Sequence, residues 1–396
     1  MPQNHFPAKH LLPLLLVALT VLSGHALAAA PQAAATLPPE QALLAEPPAN
    51  IALLLPVSGP LAKPAAAIRD GFFAAHYHRL NKLYQPVIRL YDTGTQPASV
   101  IEVYRQAVAD GADVVVGPLD KESVKALARE SGLGVPTLAL NYGDDEGTLA
   151  GNLFQFGLSP EDEANAVAER AAQDGLTQAA ALIPKSDWGE RMLKAFKTRF
   201  EQLGGRVVTV QSYDAEGTDF ATPLRNLLAD GDTRTRKTQG NARYRQDVDF
   251  LFMAAYPRQA RQIQPQMSFN YANLPVYATS HVYTGRPDKG ADSDEDGIVF
   301  CDMPWVFDGA AQPLQQAITR LWPQSADQFR RLYALGVDAY ALTPALSRKL
   351  SGLAEPFAGQ TGLLQMDAAR RIRRSLTCAR FVAGEPRALA PATNPP

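Results

Sequence analysis

The sequence is poor in the residue types from which metal and cofactor sites are usually built. It has two cysteines and six histidines in 396 residues, and His5, His10 and His25 all precede residue 29. His76 and His78 are two positions apart on a predicted helix, so they point to different faces and cannot readily share a metal ion. The sequence therefore predicts no metal site and no cofactor.

The motifs of nucleophilic and phosphate chemistry are also missing. The chain has no Ser-x-x-Lys, no Gly-x-Ser-x-Gly and no glycine-rich phosphate loop. The acidic run from Asp292 to Gly297 imitates the start of a calcium loop, but Met303 stands at its twelfth position, where a bidentate carboxylate is needed. We expect this run to be a solvated loop and the chain not to be an enzyme.

The sequence also lacks an excess of either charge. It has 38 basic and 40 acidic residues, a formal net charge of −2. A protein that binds nucleic acid through its phosphates normally carries a basic surface. Nucleic acid is therefore not a predicted partner.

The first residues have the pattern of an export signal. Lys9 precedes an apolar run from Leu11 to Leu22, which is too short for a comfortable transmembrane helix, and small residues follow. Ala26-Leu27-Ala28 is the expected cleavage site, so residues 1–28 are interpreted as a signal peptide and the mature chain as periplasmic. His25 stands where a lipoprotein would carry its acylated cysteine, and we therefore do not expect a lipid anchor in the outer membrane.

Both cysteines, Cys301 and Cys378, remain after this cleavage. An oxidising compartment permits them to form a disulfide. Two buried free thiols are the alternative, and the sequence leaves the choice open.

The remainder of the chain has the rhythm of a two-lobed α/β protein. Residues 29–49, rich in Ala and Pro, are interpreted as a tether. From Ile51 short apolar runs alternate with amphipathic segments, which predicts βαβ units and a mostly parallel, doubly wound sheet. We assign residues 50–157 to a first lobe and 158–305 to a second, where the rhythm restarts. Residues 306–396, including the apolar helix predicted at Leu332–Leu342, are expected to return to both lobes.

Two such lobes form a clamshell, and the usual ligand site lies in the cleft at the carboxyl ends of the strands. Gly117-Pro118 opens a predicted helix whose free N–H groups could hold an anion, but Asp120 and Glu122 in its first turn would repel one. An ordinary capped helix is the alternative interpretation. The candidate cleft residues are Ser58, Gly59, Gly117, Pro118, Lys121, Asn141, Asp187 and Trp188.

A second candidate surface is the basic segment Thr233–Gln246, which has no apolar period. Dense like charge steers association with an acidic partner. A solvated loop is the alternative. Its basic residues are Arg234, Arg236, Lys237, Arg243 and Arg245.

Several long motifs carry a family resemblance. They include IALLLPVSGPLAKPAAAIRDGFFAA from Ile51, VVVGPLDKESV from Val114, GIVFCDMPWVF from Gly297 and the GQTGLL turn from Gly359. These motifs resemble the C-terminal domain of the LpoA/LppC family, the periplasmic activators of class A penicillin-binding proteins.

The resemblance implies a type I periplasmic-binding-protein fold and contact with a bifunctional peptidoglycan synthase, which would promote peptidoglycan synthesis. The chain departs from the family pattern in three places. The short tether stands where the family has a helical N-terminal domain, His25 replaces the lipidated cysteine, and Cys378 stands where a Trp is expected.

Two functions are therefore compatible with the sequence. The first is a non-catalytic regulator that docks on a class A penicillin-binding protein. The alternative is a periplasmic solute-binding protein for an amino acid or amide, of the ABC transporter type. Both have the same fold, and the chemistry of the cleft, which could hold a small ligand, separates them.

Overall fold

The computed structural model describes residues 48–78, 85–130, 132–143, 151–229, 245, 247–271, 274–307, 312–347 and 356–390. Within them the chain forms two mostly parallel sheets flanked by helices, which confirms the predicted two-lobed α/β fold. None of the helices in these ranges is long and apolar enough to cross a membrane. The predicted signal peptide lies outside the described residues.

The first sheet is built on buried apolar strands. Strand β1 has the sequence NIALLL and is buried from its second residue onward, as expected for a central parallel strand with helices on both faces. The strand order is β11-β12-β13-β5-β4-β3-β1-β2. The bounds are β1 Asn50–Leu55, β2 Val87–Asp92, β3 Val114–Val116, β4 Thr137–Ala139, β5 Leu153–Phe156, β11 Phe357–Ala358, β12 Leu363–Met366 and β13 Arg371–Ser375.

The second sheet repeats the design with the order β15-β14-β10-β9-β8-β6-β7. Strands β6, β8, β9 and β10 run parallel, and β14 is antiparallel to β10. The bounds are β6 Gln178–Pro184, β7 Arg206–Tyr213, β8 Phe250–Met253, β9 Val276–Thr279, β10 Val299–Asp302, β14 Thr377–Val382 and β15 Glu385–Ala388.

The helices connect and cover these strands. Several begin with a side-chain cap, as Ser159 does at α4 and Ser186 at α5. The bounds are α1 Ala62–His78, α2 Val100–Ala109, α3 Lys121–Ala128, α4 Pro160–Gln173, α5 Asp187–Gln202, α6 Ala221–Leu228, α7 Pro257–Asn270, α8 Lys289–Asp292, α9 Pro304–Phe307, α10 Pro313–Leu321, α11 Pro323–Gln328 and α12 Arg330–Ser347.

The chain passes between the two sheets after β5, after β10 and after β13. The C-terminal segment consequently adds β11, β12 and β13 to the first sheet and β14 and β15 to the second. The chain leaves the first sheet at the carboxyl end of β5 and the second sheet at the carboxyl end of β10. The carboxyl ends of the parallel strands in both lobes therefore lie on the side of the connections between the lobes.

Helices α1 and α12 pack together and contribute to the cores of both lobes. Ile68 of α1 and Leu335 of α12 belong to the core that covers the first sheet, whereas Ala67 and Val337 belong to the core of the second. Such all-round burial explains why apolar residues are found on every side of α12. From the sequence alone, α12 could belong to either lobe. In the structure it packs against both.

Two glycines permit this helix contact. A Cβ atom added to Gly71 would lie 2.3 Å from the carbonyl oxygen of Tyr333, and one added to Gly336 would lie 2.0 Å from that of Ile68. Both distances are far below van der Waals contact. The two backbones therefore approach more closely than any residue with a side chain would allow.

Asp338 of α12 fixes the turn that begins at Gly359. Its carboxylate accepts hydrogen bonds from the backbone N–H of Gln360 and of Thr361, each at 2.7 Å, and from the Thr361 hydroxyl at 2.6 Å. Burial raises the pKa of Asp338 to about 6 although these hydrogen bonds oppose the rise. The carboxylate therefore holds the GQTG turn, which joins β11 to β12, against the shared helix.

The structure pairs the two cysteines. Cys301 of β10 and Cys378 of β14 are direct partners across the antiparallel pair, and their Sγ atoms are 2.02 Å apart. The disulfide joins residues 77 positions apart and ties β14 of the C-terminal segment to β10 of the second sheet.

We expect Gly336→Ala to destabilise the protein. Ala is normally better than Gly inside a helix by about 1 kcal/mol, but here the added Cβ meets the carbonyl of Ile68, and overpacking costs about 1–3 kcal/mol or more. Urea unfolding measures the change. Gly290→Ala is the matched control, because its Cβ would meet nothing closer than 3.6 Å; equal stability of the two variants would contradict the packing argument.

We expect the double variant Cys301→Ser, Cys378→Ser to lose stability as well. Closing a loop of this length is worth up to about 4 kcal/mol in the chain-entropy model. Thermal unfolding with and without a reductant checks it: reduction should lower the Tm of the parent and leave that of the double variant unchanged.

Candidate functional site

The predicted cleft residues of the first lobe lie at strand ends, as expected from their spacing. Ser58 and Gly59 form an exposed turn after β1, and Gly59 has φ +75°. Gly117 and Pro118 are buried directly after β3, and Lys121 is the exposed first residue of α3. These residues therefore lie at the carboxyl edge of the first sheet. That they bind a ligand remains a prediction.

The backbone at Gly117 packs tightly against the end of β1. Its φ is +107°, and an added Cβ would lie 2.1 Å from the carbonyl oxygen of Leu54, so only glycine fits. The Asp120 carboxylate caps α3 by accepting hydrogen bonds from the Ser123 N–H at 2.9 Å and from its hydroxyl at 3.0 Å. The helix end is therefore an ordinary capped N-terminus, in which a carboxylate already occupies the anion position.

Asn141 is also engaged within the lobe. Its side-chain amide donates to the carbonyl of Leu119 at 3.0 Å, and its oxygen accepts from the Tyr142 N–H at 2.9 Å. The amide therefore holds the loop after β4 against the loop after β3. This reduces what Asn141 can offer to a ligand.

The second lobe has a different strand-end surface, made of aromatic rings. Trp188, Tyr256 and His281 follow β6, β8 and β9, which are neighbours in the sheet. The indole stacks on the Tyr256 ring at a centroid distance of 4.8 Å, and it meets the His281 imidazole edge-on, also at 4.8 Å. We call these three residues the aromatic cluster.

A buried carboxylate supports the aromatic cluster. Glu163, in the first turn of α4, lies 3.1 Å from Nδ1 of His281 and accepts a 2.5 Å hydrogen bond from the Ser280 hydroxyl. Burial alone would raise the pKa of Glu163, but His281 and these hydrogen bonds hold it below its ordinary value. Burial and the Glu163 charge raise the pKa of Tyr256.

Ser280, His281 and Glu163 are the residue types of a hydrolase triad, but their arrangement differs from one. In a triad the histidine lies between the serine and the carboxylate and accepts the serine proton. Here the carboxylate lies between the other two, and the buried Ser280 donates to Glu163. This geometry does not activate a nucleophile.

Of the aromatic cluster, sequence reasoning identified Trp188 and missed Tyr256 and His281. It also missed Glu163. The available signal was positional: Tyr256 and His281 stand shortly after predicted strands, as Trp188 does. Asp187, the other predicted residue of this lobe, is the exposed first residue of α5 beside the cluster.

Charged residues join the lobes where the chain crosses. Arg374 of β13 lies 3.5 Å from Asp162 of α4 and donates to the Ser159 carbonyl at 3.1 Å. Burial raises the pKa of Asp162 to about 6, although Arg374 and Arg373 lower it. A polar cavity of about 380 Å³ adjoins this pair and is also lined by Glu169 and Arg199, which pair with each other.

Most of the predicted basic surface cannot be placed, because Arg234, Arg236, Lys237 and Arg243 lie outside the described residues. Arg245 is described. Its guanidinium makes two hydrogen bonds to the Asp247 carboxylate, at 2.9 and 2.7 Å.

The expectation of a solvated acidic loop at Asp292–Gly297 is wrong. Asp292 and Glu295 are fully buried, and both lie beside Arg261 of α7, at 2.6 and 3.4 Å. Asp296 accepts hydrogen bonds from the N–H groups of Ala383 and Gly384. The carboxylates therefore fasten the loop to α7 and to the turn between β14 and β15. No group of three or more side chains in the described part of the chain is arranged to hold a metal ion.

Comparison with known families identifies relatives over most of the chain. A family model described as "LppC putative lipoprotein" matches residues 25–384. The penicillin-binding protein activator LpoA of Vibrio cholerae is 28% identical in an alignment of 349 residues, and the match covers 84% of this chain and 57% of that protein. The same activator of Photobacterium profundum is also 28% identical, and the match covers 56% of its length. The chain thus spans less than two thirds of these relatives' length.

Solved structures show the same fold. The "LpoA (YraM) C-domain from Haemophilus influenzae, a regulator of PBP1A" superposes with a TM-score of 0.71 and 25% identity, covering 86% of this chain and all of that one. A "putative branched-chain amino acid ABC transporter" from Chromobacterium violaceum superposes with a TM-score of 0.64 and 30% sequence identity. The match covers 84% of this chain and 99% of that one.

We expect the buried acidic pair to make stability depend on pH. Burial, together with the neighbouring Asp292 charge, raises the pKa of Glu295 to about 8, although Arg261 opposes the rise. The folded chain therefore binds a proton that the unfolded chain lacks between about pH 5 and 8, and stability falls as pH rises. Each pH unit of this window is worth about 1.4 kcal/mol, so Glu295→Gln should remove on the order of 4 kcal/mol of this fall.

Urea unfolding at several pH values measures the effect. Asp294→Asn changes an exposed acid of the same run and should leave the pH dependence as in the parent. An unaltered pH dependence in Glu295→Gln would contradict the assignment.

Proposed function

Because this chain belongs to the LppC family, we propose that it acts in the periplasm as a non-catalytic activator of a class A penicillin-binding protein and promotes peptidoglycan synthesis by direct contact. The observation that carries the proposal is its match to the whole of a domain described as a regulator of PBP1A. The curated relatives are named as activators as well.

The chemistry of the strand ends supports a regulator over an amino-acid receptor. A receptor of this fold needs an anchor for the ligand carboxylate, and the end of α3 is occupied by Asp120. The Asn141 amide is engaged with Leu119 and Tyr142. The first lobe therefore offers little to a free carboxylate.

The packing between the lobes also supports a regulator. Receptors of this kind open and close about a hinge as the ligand enters. Here α1 and α12 are part of both cores, and Arg331 of α12 is paired with Asp302 and donates to the Tyr283 carbonyl of the second lobe at 2.9 Å. Wide opening would break buried contacts, whereas a docking protein benefits from a fixed shape.

The alternative of a periplasmic solute-binding protein is favoured by one observation, the 30% identity to the protein from Chromobacterium violaceum. Screening the chain against amino acids and amides by thermal shift separates the two functions. Clear stabilisation by an amino acid or an amide, without synthase binding, would favour the receptor.

We propose that the basic segment supplies the contact with the synthase. Replacing Arg234, Arg236, Lys237 and Arg243 by Gln should weaken binding to a purified class A penicillin-binding protein, and raising the salt concentration should weaken the parent in the same way. Pull-down at physiological salt and the stimulation of glycan synthesis measure the effect.

The matched control replaces four exposed basic residues outside this segment: Lys63, Arg129, Arg206 and Arg320. Equal weakening by both sets would assign the effect to net charge. A parent chain that neither binds nor stimulates any class A synthase of its own cell would overturn the proposed function.

A further inference from the structure

The cavity of about 380 Å³ beside α4 lies outside the cleft. It is lined by α4, by the last turns of α5 and by the end of β13. Of the described residues, neither the predicted cleft residues nor the aromatic cluster line it. Its volume is at the lower end of the range for small-ligand sites, about 300–1,000 Å³.

Four of the lining side chains can both donate and accept hydrogen bonds. Asn165 and Gln202 carry amides, and Thr198 and Ser375 carry hydroxyl groups. Within the part of the chain that the structure describes, none of the four is hydrogen-bonded to the protein through its side chain. Asn165 is half-buried and the other three are exposed, so a ligand can reach all of them.

The charged groups around the cavity cancel one another. Each arginine there lies 2.7 to 3.5 Å from a carboxylate, so an ionic ligand has to compete with an existing pair. Lys197 and Glu201 beside the cavity also pair, at 3.8 Å. The surroundings therefore favour a neutral ligand. The pairs are Arg199 with Glu169, Arg374 with Asp162, and Arg373 with both Asp162 and Asp367.

The lining offers little apolar surface. Among the described residues that form it, Ala166 is the only apolar one and none is aromatic. A flat aromatic or a hydrophobic ligand therefore gains little from stacking or burial. A hydroxyl group both donates and accepts, so a ligand with several of them can satisfy amides, hydroxyls and guanidinium groups together.

We propose that this cavity binds a neutral, hydroxyl-rich ligand of the sugar class. Its hydroxyl groups bond to the four unengaged side chains. They also accept from the guanidinium groups of Arg199 and Arg373, whose side chains are 38% and 44% exposed and keep their carboxylate partners. The site is separate from the cleft in which a receptor of this fold would hold an amino acid or amide.

Sugars that differ only at carbon 6 test the charge requirement on the full exported chain. Glucose is neutral, glucuronate carries a carboxylate and 6-amino-6-deoxyglucose carries an ammonium group; N-acetylglucosamine is a second neutral ring. By saturation-transfer NMR we expect at least one neutral sugar to bind with a Kd of about 10 mM or less, at least about threefold more tightly than either charged sugar.

Two results would overturn the proposal. One is tighter binding of a charged sugar than of both neutral sugars. The other is no binding of either neutral sugar at about 20 mM, which would show that the cavity holds only water.

The two amides locate the site. The double variant Asn165→Ala, Gln202→Ala should weaken the neutral sugar about two- to twelvefold for each amide, the range of one neutral hydrogen bond. Its Tm should not fall, because neither side chain is bonded to the protein in the described structure. Gln324→Ala, Gln328→Ala replaces two exposed amides of α11 and should bind as the parent does. Equal affinity of both double variants would refute the assignment.

The inference does not depend on the proposed function. The Asn165→Ala, Gln202→Ala variant should pull down a class A synthase as the parent does, because the basic segment is proposed to supply that contact. A parent that binds the neutral sugar but no synthase would overturn the proposed function alone, and a parent that binds the synthase but no sugar would overturn this inference alone.

Discussion

The close approach of α1 and α12 is the constraint on which the rest of the structure depends. Gly71 and Gly336 bring the two backbones together where any Cβ would collide with a carbonyl. The helix pair then presents one side to each lobe, so that both cores are completed by the same two helices. Two lobes that could each be a separate α/β unit consequently share buried surface and are held in one arrangement.

Polar contacts specify that arrangement more narrowly. Arg331 at the start of α12 is bound to Asp302 of the second lobe, while Asp338, two turns further, fixes the turn that leads to the third crossing. Burying a charge is costly unless it is paired and hydrogen-bonded. These pairs therefore penalise other placements of the lobes.

The strand-end residues show how far sequence reasoning reaches into a site. Periodicity located the ends of β1, β3, β4 and β6, and hence Ser58, Gly117, Asn141 and Trp188, because each end is a local feature. It did not reveal that Asn141 is engaged by its own lobe, nor that Tyr256 and His281 join Trp188. Those facts depend on which loops become neighbours, and neighbours in a sheet are set by long-range pairing.

By itself the sequence determined the α/β class, the two lobes, most strand and helix positions and, through long motifs, the family. These follow from local periodicity, turn residues and ordered similarity. Only the tertiary structure decided that Cys301 pairs with Cys378, that α12 belongs to both lobes and that the acidic run at Asp292 is buried. Each of these requires contact between segments far apart in the chain, and the free energy of such contacts depends on packing that no local pattern encodes.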